Sequence, residues 1–119
     1  MDSPFLLILN DPPYGTERVY NGLRLAMNLL AKHEDAEVSL FLMGDAASAA
    51  KSGQQTPNGY YNVERMFAGV MRKGGAAKVC GTCMDARGLT DTELVEGASR
   101  STMDELTEMT VNADKVLVF

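Results

Sequence analysis

The two cysteines of this 119-residue chain, Cys80 and Cys83, are three positions apart and follow a short apolar run. With two thiols this close, Cys83 can resolve a disulfide, a sulfenic acid or a persulfide that forms on Cys80. Lys78 precedes the pair, and Arg87 and Gly88 follow it. Nearby positive charge lowers the pKa of a thiol and favours the nucleophilic thiolate. The spacing therefore predicts reactive sulfur chemistry, with the two cations stabilising the anionic form.

Other functions of a close cysteine pair require further residues elsewhere in the chain. A thioredoxin-type oxidoreductase places a cis-proline from later in the chain opposite its dithiol, but all four prolines here precede Cys80. A structural zinc site takes about four ligands, and His33 is the only histidine. The sequence thus predicts no metal ion and no cofactor. A dithiol/disulfide redox protein, and a non-catalytic oligomeric module that binds a small ligand, stay open as alternatives.

Composition limits the class of partner. Hydrophobic residues make up 45% of the chain, charged residues 23%, and the net charge is −5 with a pI near 4.7. An acidic surface repels nucleic acid and anionic lipid, so neither is expected as a partner. The first apolar run, residues 5–9, is far shorter than the ~20 residues of a membrane span. We expect one domain over residues 1–119 in the cytoplasm, where thiols stay reduced.

Strand-like and helix-like patterns alternate along the chain, which sets where the cysteines are placed. Strands are predicted at residues 5–9, 38–43, 76–80 and 115–119, and helical patterns separate them. Alternation of this kind indicates right-handed crossovers and parallel strands. We therefore predict an α/β fold, a three-layer sandwich with helices on both faces of a mostly parallel sheet and flavodoxin-like topology.

Helix starts are predicted at polar residues that can accept a hydrogen bond from the first turn. These residues are Thr16, Asp45, Asn62, Thr90 and Thr102. The helix after Thr16 has an apolar surface wider than one stripe, which favours an additional contact with another copy of the chain.

A crevice is expected beyond the carboxyl ends of the strands, where the strand order of an open sheet reverses. If strands 1 and 3 flank that reversal, residues 11–16 and residues 80–88 line the same crevice. Tyr14 and Gly15 would then shape it beside the cysteines.

Five segments give the chain a resemblance to the DsrE/DsrF family that runs almost from end to end. They are Asp11-Pro-Pro-Tyr-Gly-Thr, Phe41-Leu-Met-Gly-Asp, Gly59-Tyr-Tyr-Asn-Val, Val79-Cys-Gly-Thr-Cys-Met-Asp-Ala-Arg-Gly and Ala113-Asp-Lys-Val-Leu-Val-Phe. The resemblance implies a small α/β protein that assembles as a homohexamer, commonly a trimer of dimers. It also implies sulfur-relay work, in which a persulfide on one cysteine passes between a donor protein or polysulfide and an acceptor protein.

Cys80 matches the persulfide-bearing cysteine of that family. Cys83 is shared with one branch and missing from the TusD-like branch. A thiol at that position could discharge a persulfide on Cys80 as sulfide, leaving a Cys80–Cys83 disulfide. The resemblance therefore implies a sulfurtransferase-like carrier whose second thiol resolves the persulfide or holds the sulfur transiently.

Overall fold

The structure, a computed structural model, describes residues 3–119. Its strands are β1 (Ser3–Leu9), β2 (Ala36–Leu42), β3 (Ala76–Cys80), β4 (Ala98–Ser101) and β5 (Lys115–Val118). Its α-helices are α1 (Arg18–Lys32), α2 (Val63–Arg72), α3 (Gly81–Ala86) and α4 (Met103–Asn112). Two 3-10 helices, Gly44–Ala50 and Asp91–Glu93, lie between them. The α/β class and the helical regions predicted from the sequence are confirmed.

The five strands form one parallel sheet in the order β4-β3-β2-β1-β5. The chain moves outward from β1 to β4 and then returns to the far side of β1 as β5. In the flavodoxin-like order 2-1-3-4-5, strands 1 and 3 are neighbours; here β2 lies between them. The order reverses between β1 and β5 instead, so the condition for a shared crevice of residues 11–16 and 80–88 is not met.

The two faces of the sheet are covered unequally. All crossovers between parallel strands have the same hand. The crossovers from β1 to β4 run in one direction along the sheet, so their helices lie on one face. The crossover from β4 to β5 runs in the other direction, so α4 lies on the opposite face. The larger core accordingly combines β1, β2 and β3 with α1, α2, α3 and the first 3-10 helix. The opposite core is small: Leu106 of α4 packs with Leu6, Phe41 and Cys80. Helices on both faces are confirmed, with α4 on the thin side.

Three of the predicted helix starts are confirmed by their hydrogen bonds. The Asn62 side chain accepts from the backbone N–H of Arg65 at 3.1 Å, and Thr102 accepts from that of Glu105 at 3.2 Å. Thr90 forms a reciprocal capping box that begins the second 3-10 helix. The Asn62 and Thr102 caps each supply an acceptor to a first-turn N–H. At Thr90 the Glu93 carboxylate is the acceptor, from the Thr90 N–H at 2.9 Å and the Thr90 hydroxyl at 3.0 Å.

Two predicted starts differ from the structure. The residue before α1 is Glu17, whose side chain makes no capping bond. Thr16 lies one residue earlier; its hydroxyl donates to Asp11 at 3.2 Å and accepts from the Arg18 N–H at 3.5 Å, so it contacts the first turn of α1 although the helix begins later. The segment after β2 is a 3-10 helix that follows Met43, without a side-chain cap. Asp45 lies inside that helix, and its carboxylate is engaged by Arg87, a tertiary partner that competes for the side chain that the local pattern offered as a cap.

Two elements were not predicted, α3 and β4. The six residues of α3 are too few to show a helical period, and β4 reads Ala-Ser-Arg-Ser without an apolar run. Short polar strands are typical of sheet edges, where little side-chain burial is available. Both elements flank the cysteines, so the fold around the thiols differs from the loop that the sequence suggested.

Exposed apolar side chains lie away from α1. Among residues 3–119, the large hydrophobic residues that are strongly exposed are Tyr60, Met103, Val111, Val116 and Val118. Most of them belong to α4 and β5. The wide apolar surface of α1 is partly buried in its own subunit, since Met27, Leu29 and Leu30 pack against the main core. Leu25 belongs to neither core and lines the groove between α1 and α2. Within the described residues, no helix is long and apolar enough to cross a bilayer.

Candidate functional site

The cysteines lie at the junction of β3 and α3. Cys80 is the last residue of β3 and Cys83 lies in the first turn of α3. Both are free thiols. Cys80 is 8% exposed and belongs to the thin core under α4, whereas Cys83 is partly exposed and packs against both cores. The turn from strand to helix therefore brings the two thiols together but gives them different surroundings.

Hydrogen bonds, more than charges, set the ionisation of Cys80. Its sulfur lies 3.3 Å from the Thr82 hydroxyl. Burial alone would raise the pKa of Cys80, but hydrogen bonds from the Cys83 thiol, the Thr82 hydroxyl and the backbone N–H groups of both residues outweigh it. The pKa of Cys80 is thus lowered, because these donors favour the anionic sulfur. Cys80 is the better nucleophile of the pair near neutral pH.

The pKa of Cys83 is shifted in the opposite direction, upward. Burial and the hydrogen bond that it gives to Cys80 raise its pKa, against the opposing effects of the Gly44 N–H and the Arg87 charge. The Gly44 N–H donates to the Cys83 sulfur at 3.1 Å. Gly44 has a φ of +58°, a conformation that favours glycine. The backbone just after β2 thereby directs the Gly44 N–H toward the Cys83 sulfur.

The two cations predicted to stabilise the thiolate make other contacts. Arg87 donates to Asp45 at 2.8 Å and to the Cys83 carbonyl at 3.1 Å. Lys78 lies 3.6 Å from the Glu105 carboxylate and 3.3 Å from the Ser99 hydroxyl. Of these two residues, only Arg87 contacts the dithiol segment, at Cys83 rather than at Cys80.

Gly88 follows the C-terminal cap of α3, Arg87, and closes the helix. Its φ of +66° is left-handed, and Leu89 donates back to the Met84 carbonyl at 2.9 Å. This pattern closes a helix while pairing its last carbonyls. Gly88 therefore defines the length of the thiol-bearing helix and does not approach the sulfur atoms through a side chain.

Arg100, on the unpredicted strand β4, is a site residue that sequence reasoning missed. Its guanidinium donates to Asp85 at 2.7 Å and lies 3.7 Å from Asp91. A Cβ at Gly81 would come within 2.9 Å of the Arg100 Nε. Gly81 thus leaves room for Arg100 to cross the start of α3, next to Cys80. No local pattern could find this contact, because it joins two elements that are separate in sequence.

Tyr14 and Gly15 belong to a different part of the carboxyl edge. The Tyr14 hydroxyl donates to Gln54 at 2.6 Å and accepts from the Val63 N–H at 3.0 Å. Its ring stacks on Tyr61 with centroids 5.8 Å apart, while Gly15 is an exposed turn residue with φ +99°. These contacts fasten the loop after β1 to the start of α2.

Two grooves among residues 3–119 lie away from the thiols. One of about 660 Å³ separates α1 from α2, and one of about 290 Å³ lies between α4 and the sheet. Neither is lined by a cysteine. Across residues 3–119, no three His, Cys, Asp or Glu side chains converge on a possible metal position. His33 ends α1, so in a parallel sheet it lies at the edge opposite the cysteines.

Comparison with known proteins places this geometry in a family. The sequence profile of the DsrE/DsrF-like family matches residues 4–119. The chain is 38% identical over 114 residues to Protein YchN of Escherichia coli (strain K12), covering 96% of this chain and 97% of that protein. It is 36% identical to the uncharacterized protein MJ0989 of Methanocaldococcus jannaschii, covering 97% and 98%.

A solved structure agrees over the whole chain. The crystal structure of the ychN protein from E. coli superposes with a TM-score of 0.93 at 37% identity, covering all of both chains. The structure of MTH1491 from Methanobacterium thermoautotrophicum, at 13% identity and a TM-score of 0.79, shares the fold. From its fold and its sequence together, the chain belongs to the DsrE/DsrF-like family.

Proposed function

We propose that this protein is a sulfur carrier of the cytoplasm, which accepts a sulfane sulfur as a persulfide on Cys80 and passes it on. The observation that carries the proposal is the hydrogen-bonded environment of Cys80, which lowers the pKa of a thiol that is largely shielded from solvent. A shielded thiolate is nucleophilic, and its persulfide is protected from adventitious thiols. Membership in a family of sulfur-relay proteins supports the same role.

The loading step needs only a donor that carries a sulfane sulfur, either a donor protein or a polysulfide. The Cys80 thiolate attacks the terminal sulfur of a donor R–S–SH. The bond between that sulfur and the donor breaks, RS⁻ leaves, and Cys80–S–SH forms. No net oxidation occurs, because one sulfur–sulfur bond replaces another.

Cys83 then offers two continuations. It can attack the Cys80 sulfur, which gives a Cys80–Cys83 disulfide and releases hydrogen sulfide. Alternatively it can attack the outer sulfur and take the persulfide over. The hydrogen bond between the two thiols makes either route short. A dithiol/disulfide redox role is the second candidate function, since the same contact favours a reversible disulfide.

The proposed assembly is a homohexamer built as a trimer of dimers. Exposed apolar side chains on α4 and β5, such as Val111, Val116 and Val118, support a contact between copies on the thinly covered face. The contact predicted at α1 stays a prediction: Leu29 packs partly against the main core, whereas Leu25 lines the groove between α1 and α2.

Intact-mass spectrometry after incubation of the reduced protein with polysulfide tests the function. We expect a gain of one sulfur that a reductant removes, and loss of that gain in Cys80→Ser. Loss of two hydrogens without added sulfur would favour the redox role. Native loading of Cys80→Ser would overturn the assignment of Cys80.

A further inference from the structure

We infer that sulfur leaves this protein through Cys83, which takes the persulfide from Cys80 and presents it at the rim formed by Gly44, Asp45 and Arg87. The inference rests on the proposed function, because it requires that Cys80 be loaded first. It selects the second of the two continuations open to Cys83 and adds the side of the molecule at which the sulfur leaves.

Cys80 is more buried than Cys83, as an exit of sulfur through Cys83 requires. Cys80 is 8% exposed and packs with Leu106 and Phe41 under α4. Cys83 is only partly buried and lies at the border of the two cores. Cys80 shares its core with Leu106 of α4, so an acceptor protein reaches it less readily than it reaches Cys83. Cys83 is the more exposed residue of the two.

The surroundings of Cys83 can hold a sulfur that carries negative charge. The Gly44 N–H donates to the Cys83 sulfur at 3.1 Å. Burial and the hydrogen bond to Cys80 leave the pKa of Cys83 raised, while the Gly44 N–H and the Arg87 charge act in the opposite direction. Arg87 is itself fixed by Asp45 at 2.8 Å and by the Cys83 carbonyl at 3.1 Å. An amide and a guanidinium held in place in this way stabilise an anion on or next to Cys83.

The transfer step balances without an outside oxidant or reductant. The Cys83 sulfur attacks the outer sulfur of Cys80–S–SH, the bond from that sulfur to Cys80 breaks, and Cys83–S–SH forms. The Cys83 proton moves to the Cys80 sulfur, which becomes Cys80–SH. Thiol exchange favours a leaving sulfur of low pKa and an attacking sulfur that is more basic. The opposite pKa shifts of Cys80 and Cys83 agree with transfer in this direction.

Localising the persulfide over time tests the inference. The reduced protein is mixed with one equivalent of polysulfide, quenched at intervals with iodoacetamide and digested with trypsin. Cleavage at Lys78 and Arg87 leaves both cysteines on one peptide, so fragmentation within that peptide assigns the extra sulfur. We expect the label on Cys80 first and on Cys83 later.

The Cys83→Ser variant separates the inference from the proposed function. It should load Cys80 normally, keep the sulfur there, and hand it to glutathione about tenfold more slowly than the wild-type chain, because the exchange must reach a buried sulfur. Absence of added sulfur from Cys80 of the wild-type chain would refute the proposed function itself.

Normal loading of Cys83→Ser combined with an undiminished rate of delivery would refute the exit through Cys83 alone. So would a wild-type chain in which sulfur is never found on Cys83 and a Cys80–Cys83 disulfide forms with release of sulfide. Conversion of Cys83 to alanine provides the matched control, since it removes the thiol without adding a hydroxyl.

Discussion

At the scale of single residues, the reactivity of Cys80 depends on neutral donors. The Thr82 hydroxyl lies 3.3 Å from its sulfur, and backbone N–H groups of Thr82 and Cys83 add to it. Cations that the sequence offered for this purpose are paired elsewhere, Lys78 with Glu105 and Arg87 with Asp45. Short-range hydrogen bonds are screened less by solvent than exposed charges are, so the thiolate is stabilised by groups that salt hardly affects.

The Thr82 hydroxyl is therefore expected to control the pH at which Cys80 reacts. Thr82→Val should raise the apparent pKa seen in the rate of Cys80 alkylation, because one donor to the thiolate is lost while the side-chain shape is kept. Thr82→Ser keeps the hydroxyl and should leave the profile in place. The measurement is alkylation rate against pH in a Cys83→Ala background. Identical profiles for the valine and serine variants would contradict this role.

At the scale of elements, the loop before α2 is fixed by its cap. Asn62 is 8% exposed and its side chain has three partners: it accepts from the Arg65 N–H and donates to the Gln54 carbonyl at 3.2 Å and to the Thr56 hydroxyl at 3.4 Å. Gln54 in turn accepts from the Tyr14 hydroxyl. One amide thus joins a helix start to the preceding loop, and through Gln54 to the loop after β1.

Asn62→Ala is expected to destabilise the protein by about 1–2 kcal/mol, through loss of the cap and of a buried hydrogen bond. Asn62→Asp keeps the capping oxygen but not the donor, so it should cost less. Midpoints of urea unfolding at constant slope measure both. If the free energy of unfolding of the alanine variant fell by less than about 0.5 kcal/mol, the Asn62 cap would contribute no more than an ordinary surface residue, which would contradict this prediction.

At the scale of the whole molecule, the unequal faces decide how Cys80 is reached. The main core holds most of the buried side chains. The smaller core attaches α4 through Leu106, with Met109 and Ala113 packed against it, and through the polar contacts of Glu105 with Lys78 and Ser101. Regions with few buried apolar contacts open with a low free energy. Opening of α4 is therefore the expected route by which a donor gains access to the Cys80 sulfur.

Leu106→Ala is expected to cost about 2–3 kcal/mol and to speed alkylation of Cys80, because it loosens the helix that covers the thiol. Leu23→Ala removes the same atoms from the opposite core, where Leu23 is fully buried, and is the matched control. Both variants are compared at a temperature where each stays folded. Equal acceleration in the two would mean that global loosening, and not α4, exposes the thiol.

Much of the fold and part of the site could be predicted from local patterns. Apolar runs located four of the strands, and the caps Asn62, Thr90 and Thr102 located three helix starts. The same patterns could not reveal β4, since an edge strand of polar residues carries no apolar signal. Nor could they reveal α3, which is too short to show a period.

The sequence by itself determined the α/β class, the parallel sheet, the family, and the presence of two adjacent thiols at the end of a strand. Those properties depend on periodicity and spacing along the chain. Only the tertiary structure decided which strands are neighbours, which cation meets which carboxylate, and which thiol is buried. Strands such as β1 and β2 are both apolar runs, so their order in the sheet depends on packing between distant elements. The inequality of Cys80 and Cys83 arises in the same way, from Leu106 on one side and the Gly44 amide on the other.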